Sequence, residues 1–167
     1  MPHPFPHPDV DSRAVRCGVI TVSDTRSPAT DKSGKLIQQL LTDAGHEIGY
    51  YAVIRDDPEA IAALLKSLTE KNLAALILNG GTGIAPRDNT YDVVEKLLVK
   101  TLPGFGEIFR QLSYAEIGSR AIASRAVAGT YAKLILFSVP GSSGAVRLAL
   151  EKLILPELRH LVQQLHG

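Results

Sequence analysis

Apolar residues along the chain fall into two alternating rhythms. Short runs at Arg16–Val22, Glu47–Ile54, Leu73–Leu78 and Lys133–Val139 are rich in β-branched and other apolar residues and predict strands. Leu73–Leu78 is apolar throughout, as expected for a strand covered on both faces. Between these runs the apolar positions return every three or four residues. Leu36, Ile37, Leu40, Leu41 and Ala44 predict one helix, Ile61, Leu64, Leu65 and Leu68 a second, and Val93, Val94, Leu97 and Leu98 a third. Asp31 is placed to cap the first of these, and Gly45 to stop it in a left-handed conformation. Asp57-Pro58 marks the start of the second, and Asp88 or Thr90 the start of the third. A helical pattern resumes from Phe105 to Leu112 after Pro103-Gly104. A last helical region spans Ala145–Leu165, with a break expected at Pro156. Ser113–Thr130 carries no readable period. Strands alternating with helices predict a single three-layer α/β/α domain over residues 14–167, built on a mostly parallel, doubly wound sheet.

Composition adds exclusions. The chain has 167 residues, 45% of them hydrophobic and 21% charged, which is enough apolar surface for a buried core and argues against general disorder. A net charge of +1 gives no electrostatic case for nucleic acid or an anionic membrane. No apolar run reaches the ~18 residues of a membrane helix. The proline-rich start over residues 1–13 reads as a mobile tail and not as a signal peptide, and His3 and His7 within it lack a third metal ligand. Cys17 is the only cysteine and lies in an apolar run, which predicts a buried structural thiol and a cytoplasmic protein.

The chemistry collects in four loops: Ser23–Asp31, Arg55–Asp57, Asn79–Asn89 and Pro140–Gly144. Each follows a predicted strand and leads into a helix, the edge at which doubly wound sheets bind ligands. Within Asn79–Asp88, Gly80, Gly81 and Gly83 permit positive φ and close approach of a ligand to the backbone, and Thr82 lies between them. Amides freed beside a helix start suit a phosphate; a tight turn that needs glycine only for its geometry is the alternative. No Gly-Lys-Ser/Thr follows, which excludes a P-loop, and Pro86 stands where a dinucleotide fingerprint has its third glycine. Asp56 and Asp88 follow strands on adjacent crossovers. Two carboxylates beside a phosphate loop repel the ligand unless a cation lies between them, and Mg²⁺ meets that need; helix capping is the alternative at both positions. Arg87 and Arg125 are candidate phosphate partners through their planar forks. Ser142 and Ser143, after Gly141, suit either a ligand or a helix cap. His46 lies away from this edge and receives no catalytic role.

Six segments then occur in the order of a known family: Thr21-Val22-Ser23-Asp24-Thr25, Asp31-Lys32-Ser33-Gly34, Gly80-Gly81-Thr82-Gly83 through Pro86-Arg87-Asp88, Pro103-Gly104-Phe105-Gly106-Glu107, Ser124-Arg125 and Pro140-Gly141-Ser142. From Ala14 to the C-terminus the chain resembles the molybdenum-cofactor biosynthesis proteins of the molybdopterin adenylyltransferase type, closest to their compact B branch. The resemblance implies a reaction of ATP with molybdopterin, in the presence of Mg²⁺, giving adenylylated molybdopterin and pyrophosphate. It places the two acidic residues of that chemistry at Asp56 and Asp88. It places nucleotide or pterin contacts at Ser23, Asp31, Gly80–Gly83, Ser124 and Ser142, with Asp24, Arg87, Arg125 and Gly141 completing the candidate set. Ser142 stands where adenylylating relatives often carry Asn. A non-catalytic molybdopterin-binding or scaffold protein of the same pathway is the rival reading. The family likeness further implies a homotrimer or hexamer. Phe105–Leu112 is a candidate apolar contact surface, with an ordinary core helix as the alternative.

Overall fold

In a computed structural model, residues 12–167 are described; the tail and its two histidines lie outside them, apart from Ser12 and Arg13. The chain runs β1 (Arg16–Val22), α1 (Lys32–Asp43), β2 (Glu47–Ile54), α2 (Pro58–Leu68), β3 (Ala75–Asn79) and α3 (Thr90–Leu97). It continues with β4 (Lys100–Thr101), α4 (Pro103–Ile117), a 3-10 turn (Gly118–Ala123), β5 (Val127–Tyr131) and β6 (Leu134–Val139). Helix α5 (Ser143–Ala149), a π-helical turn (Leu150–Ile154) and α6 (Leu155–His166) close it. The six strands form one sheet in the order β2-β1-β3-β6-β5-β4. The four strands from β2 to β6 are parallel, whereas β5 and β4 extend the sheet antiparallel beyond β6.

Side-chain alternation along the strands divides the apolar residues between the two faces. Cys17, Val19, Ala75, Ile77, Ile135 and Phe137 meet Ile37 and Leu41 of α1, Phe109 of α4 and Leu158 of α6 on one side. Ile20, Val22, Leu76, Leu78 and Leu136 meet Ile61, Leu65 and Leu68 of α2 and Val94 of α3 on the other. The architecture is therefore α/β/α in three layers. Cys17 is fully buried, and its burial pushes the thiol up to about 12. His46 is also structural: its Nδ1 accepts the Val15 backbone N–H at 3.0 Å. Gly45 ends α1 at a φ of 87°.

One expectation needs correction. Pro156 does not break the last helix; the π-helical turn just before it widens the backbone spiral, and the chain continues through α6. A proline removes one backbone donor and crowds the preceding turn, and a local π-turn accommodates both. The unreadable stretch after Ser113 holds the end of α4, the 3-10 turn and β5. Within Phe105–Leu112, Phe109 is buried and Phe105 packs edge-on against Phe137 with ring centroids 5.4 Å apart, whereas Ile108 is exposed. The exposed apolar residues of α4 are Ile108, Tyr114 and Ile117, and Ile122 of the 3-10 turn joins them. No helix among the described residues is long and apolar enough to cross a membrane.

Candidate functional site

Strand order reverses beside β1: β2 lies on one side of it and β3 on the other. A crevice opens at such a switch point, outside the carboxyl ends of the strands. Here the loops after β1, β2 and β3 enclose a cavity of about 190 Å³, lined by Ser23, Asp24, Thr25, Asp56, Gly81, Arg87, Asp88 and Val22. Six sequence candidates, drawn from segments far apart in the chain, are thus brought together.

Four of them, Ser23, Asp24, Asp56 and Asp88, are fixed by side-chain hydrogen bonds. Ser23 Oγ accepts the backbone N–H groups of Thr25 (3.3 Å) and Arg26 (3.0 Å), folding the first loop into a turn. Asp24 Oδ1 accepts the Asp56 N–H at 3.1 Å and so ties the first loop to the second. Both Asp56 carboxylate oxygens accept the Asn89 N–H at 3.1 Å, and Thr90 Oγ1 donates to Oδ1 at 3.4 Å. The N-terminus of α3 is therefore capped by Asp56 from another loop. Neither Asp88 nor Thr90 caps it from its own sequence: Asn89 occupies the cap position without a side-chain capping bond, its Nδ2 donating instead to the Arg87 carbonyl at 2.9 Å, and Asp88 Oδ2 accepts the Ala85 N–H at 3.1 Å. Burial raises the pKa of Asp56; the Asn89 and Thr90 bonds lower it, and the nearby charges of Asp88 and Asp24 raise it again.

The glycines are demanded by this geometry. Gly80 and Gly81 have φ of 98° and 65°. A Cβ on Gly81 would overlap Thr90 Oγ1 and Asp56 Oδ2, and one on Gly83 would come within 2.6 Å of Asp88 Oδ2. The loop thus passes directly over both carboxylates. Gly141 packs against Gly80, its missing Cβ 3.2 Å from the Gly80 Cα, which brings the loop after β6 to the same edge. There Ser142 Oγ caps α5 by accepting the Ala145 N–H at 3.2 Å.

Other candidates support the cavity without lining it. Asp31 is fully buried. It caps α1 through the Gly34 N–H at 2.9 Å and accepts Tyr51 OH at 2.5 Å and Ser33 Oγ at 3.3 Å. Burial pushes its pKa up, but the hydrogen bonds from Thr21, Tyr51, Gly34 and Ser33 together hold the carboxyl below its ordinary value. Thr82 is buried, and its carbonyl, like that of Gly83, is held by Arg125. Ser124 lies next to Arg125, outside the residues that line the cavity.

Several supporting residues were not singled out from sequence. Asn79 is buried at the end of β3, where Oδ1 accepts Ser33 Oγ at 2.7 Å and Nδ2 donates to Thr21 Oγ1 at 2.9 Å. Its signal was a polar residue closing an otherwise apolar strand. Arg26 Nη1 donates to Ser33 Oγ (2.7 Å) and to the Gly141 carbonyl (3.4 Å), which joins the first and last loops; nothing local in the sequence distinguishes it from a surface arginine.

Residues 18–160 match the family described as a probable molybdopterin binding domain. Over 153 residues the chain is 54% identical to molybdenum cofactor biosynthesis protein B of Bacillus subtilis (strain 168), covering 90% of each chain. The chain belongs to the molybdenum cofactor biosynthesis protein B family. A crystal structure of a molybdenum cofactor biosynthesis protein B superposes with a TM-score of 0.90 at 50% identity, covering 92% of this chain and 97% of that one. The tungsten cofactor synthesizing protein MoaB from Pyrococcus furiosus gives a TM-score of 0.86 at 34% identity, covering 94% and 100%. These family members share the three-layer fold, so the loops that form the cavity belong to a common framework.

Proposed function

We propose that the chain adenylylates molybdopterin with Mg-ATP, releasing pyrophosphate. The observation that carries this reading is the meeting of Asp56, Asp88 and the backbone of Gly81 at one cavity. Glycine-loop amides suit phosphate groups, and the paired carboxylates call for a cation between them and the ligand.

The donor set fits Mg²⁺. Asp56 and Asp88 are hard oxygen donors, the Asp56 carboxylate is disfavoured as an anion by burial and by two acidic neighbours, and the glycines leave space above both. Among the described residues no group of three or more His, Cys, Asp or Glu is placed to hold a metal alone. This agrees with a metal held by one or two carboxylates and otherwise by phosphate oxygens and water, the usual Mg²⁺ arrangement. Asp56 and Asp88 would hold it, and when bound it would neutralise charge on the leaving pyrophosphate.

The terminal phosphate of molybdopterin attacks the α-phosphorus of ATP. A new P–O–P bond forms while the bond from the α-phosphorus to the bridging oxygen breaks, and the electron pair leaves with pyrophosphate. A phosphate monoester has a second pKa near ~6 and is already largely a dianion at neutral pH, so no general base is needed. The task is to position two polyanions, which the loop amides and Arg87 serve. Asp56 and Asp88 act through charge placement and not as proton acceptors.

The test is to incubate the full chain with Mg-ATP and molybdopterin and to measure pyrophosphate and the adenylylated pterin. No turnover above background would sink the proposal. One observation favours the second reading, a molybdopterin-binding protein without catalysis: Ser142 stands where adenylylating relatives often have Asn, and its side chain is engaged as a helix cap. Pterin binding without ATP consumption would select it.

A further inference from the structure

Arg125 was a candidate phosphate ligand, yet its guanidinium is closed on protein groups. Nε donates to the Thr82 carbonyl at 2.8 Å and Nη2 to the Gly83 carbonyl at 2.7 Å. Nη1 and Nη2 grip Asp92 in a fork, at 3.0 and 3.1 Å. The guanidinium carbon lies 4.6 Å from the centroid of the Tyr91 ring. Asp92 and Tyr91 belong to the first turn of α3, so one side chain joins two consecutive loop carbonyls to the helix the loop feeds. Arg125 is not among the residues that line the cavity.

The carbonyls matter because a peptide unit is rigid. In a trans peptide the C=O and N–H point in opposite directions, and the described chain has no cis peptide. The Thr82 carbonyl shares its peptide unit with the Gly83 N–H, and the Gly83 carbonyl shares its unit with the Ile84 N–H. Holding both carbonyls toward Arg125 therefore turns both N–H groups away from it. A loop with glycines at three of four positions would otherwise lose much conformational freedom on binding an anion. Fixing it beforehand removes that cost from the binding step.

We propose that Arg125 and Asp92 form a clasp that presets the glycine loop for a phosphate group, with Arg125 as a positioning residue that does not touch the ligand. The binding half of this proposal rests on the phosphate reading above; the presetting half does not.

The experiment compares the full-length wild type with Arg125→Lys, Asp92→Asn and the double variant. Backbone order parameters are measured by nitrogen-15 relaxation without ligand, and Mg-ATP binding by calorimetry. Each single change should lower the order parameters of the Gly83 and Ile84 amides from the rigid level of about 0.85 toward the flexible level of about 0.6. It should also weaken Mg-ATP binding by about tenfold, the scale of a lost charge-assisted hydrogen bond. Amides of β1 and β3 should keep wild-type order parameters, which a general loosening would not allow. The double variant should bind no more than about threefold worse than either single one, because the two residues act as a unit. If Arg125→Lys weakens binding while Asp92→Asn leaves or strengthens it, Arg125 contacts the ligand directly and the proposal is overturned. Unchanged loop order parameters in both variants overturn it as well. Should Arg125→Lys fail to fold, Asp92→Asn carries the comparison, since the Asp92 side chain is 48% exposed. A wild-type chain that binds no Mg-ATP would overturn the adenylyltransferase reading alone, because the relaxation comparison needs no ligand and still decides the clasp.

Discussion

Asp56 receives the backbone N–H of Asn89 on both of its carboxylate oxygens, at 3.1 Å each, across 33 residues of sequence. An acid in one loop is thus the cap of the helix that begins after another. With the proposed metal-binding role, Asp56 would carry a structural and a chemical duty that substitution can separate. Asp56→Asn keeps an oxygen to accept the Asn89 N–H but removes the charge. Its expected outcome is a loss of pyrophosphate release of about 10²–10³-fold, the scale of losing one preorganised electrostatic group. Asp56→Ala removes the cap too, at a cost of about 0.5–2 kcal/mol in urea unfolding.

On the proposed reading, Asp56 would also set how metal binding depends on pH. Its pKa is raised in the folded chain, so the folded state holds this proton better than the unfolded state does. The resulting stabilisation is full below the ordinary value of 3.8 and is lost as pH rises through the raised value. At neutral pH the ionised carboxylate is a liability that a bound cation relieves. Mg²⁺ should raise the melting temperature at pH 7 and cease to do so as pH falls through the Asp56 titration. Thermal melts with Mg²⁺ and with EDTA check this, and Asp56→Asn should show the smaller Mg²⁺ effect at pH 7, with the difference from wild type closing as pH falls.

The buried Asp31–Tyr51 bond predicts the opposite slope. Asp31 is held below its ordinary value, so its contribution is present above 3.8 and is lost as pH falls through the lowered value. Tyr51→Phe deletes one donor to a buried carboxylate and should cost about 1.5–3 kcal/mol at pH 7. The gap between variant and wild type should close in acid, where Asp31 is protonated. Urea melts from pH 7 downward measure it; a gap that stayed constant would remove Asp31 from the account.

Two glycines should respond in opposite directions to the same substitution. Gly81 has a φ of 65° and no room for a Cβ above Asp56 and Thr90. Gly81→Ala should destabilise by about 1–3 kcal/mol, as left-handed strain does, and weaken nucleotide binding. Gly104, in the first turn of α4, has nothing within 4 Å of the place a methyl would take. Gly104→Ala should stabilise by about 0.4–1 kcal/mol, because it restricts the unfolded chain without a native clash. Thermal unfolding of the two variants side by side tests both.

Strands β1, β3 and β6 were legible because they are buried on both faces and leave largely apolar runs, and the edge strand β2 because its β-branched and aromatic residues are bounded by Gly45 and Asp56; β1 and β2 have the bounds their patterns predict. The antiparallel extension was not. Strand β5 reads Val-Ala-Gly-Thr-Tyr, with little apolar period, and β4 has two residues. Both are specified by pairing, β5 through a tight hairpin with β6 in which Ala132 takes a φ of 51°. At the site, sequence identified which loops converge, because loops after parallel strands share one edge. It could not separate residues that face the cavity from those that hold it up. Asp31 and Arg125 have the chemistry of ligand contacts, and only their burial and partners show them engaged with the protein itself. The cap of α3 was misplaced for the same reason: local spacing pointed to Asp88 or Thr90, and the acceptor came from 33 residues away.

The hold of Arg125 on the glycine loop has a consequence for the newborn chain. The carbonyls it grips lie 42 and 43 residues upstream, and the strand it introduces, β5, comes later still. A ribosome that has just released Gly83 has made the loop but not its fastening. Until Arg125 emerges, a half-made protein lacks part of what orders the loop in the finished molecule. The order of synthesis therefore leaves this loop edge among the last parts of the domain to be completed.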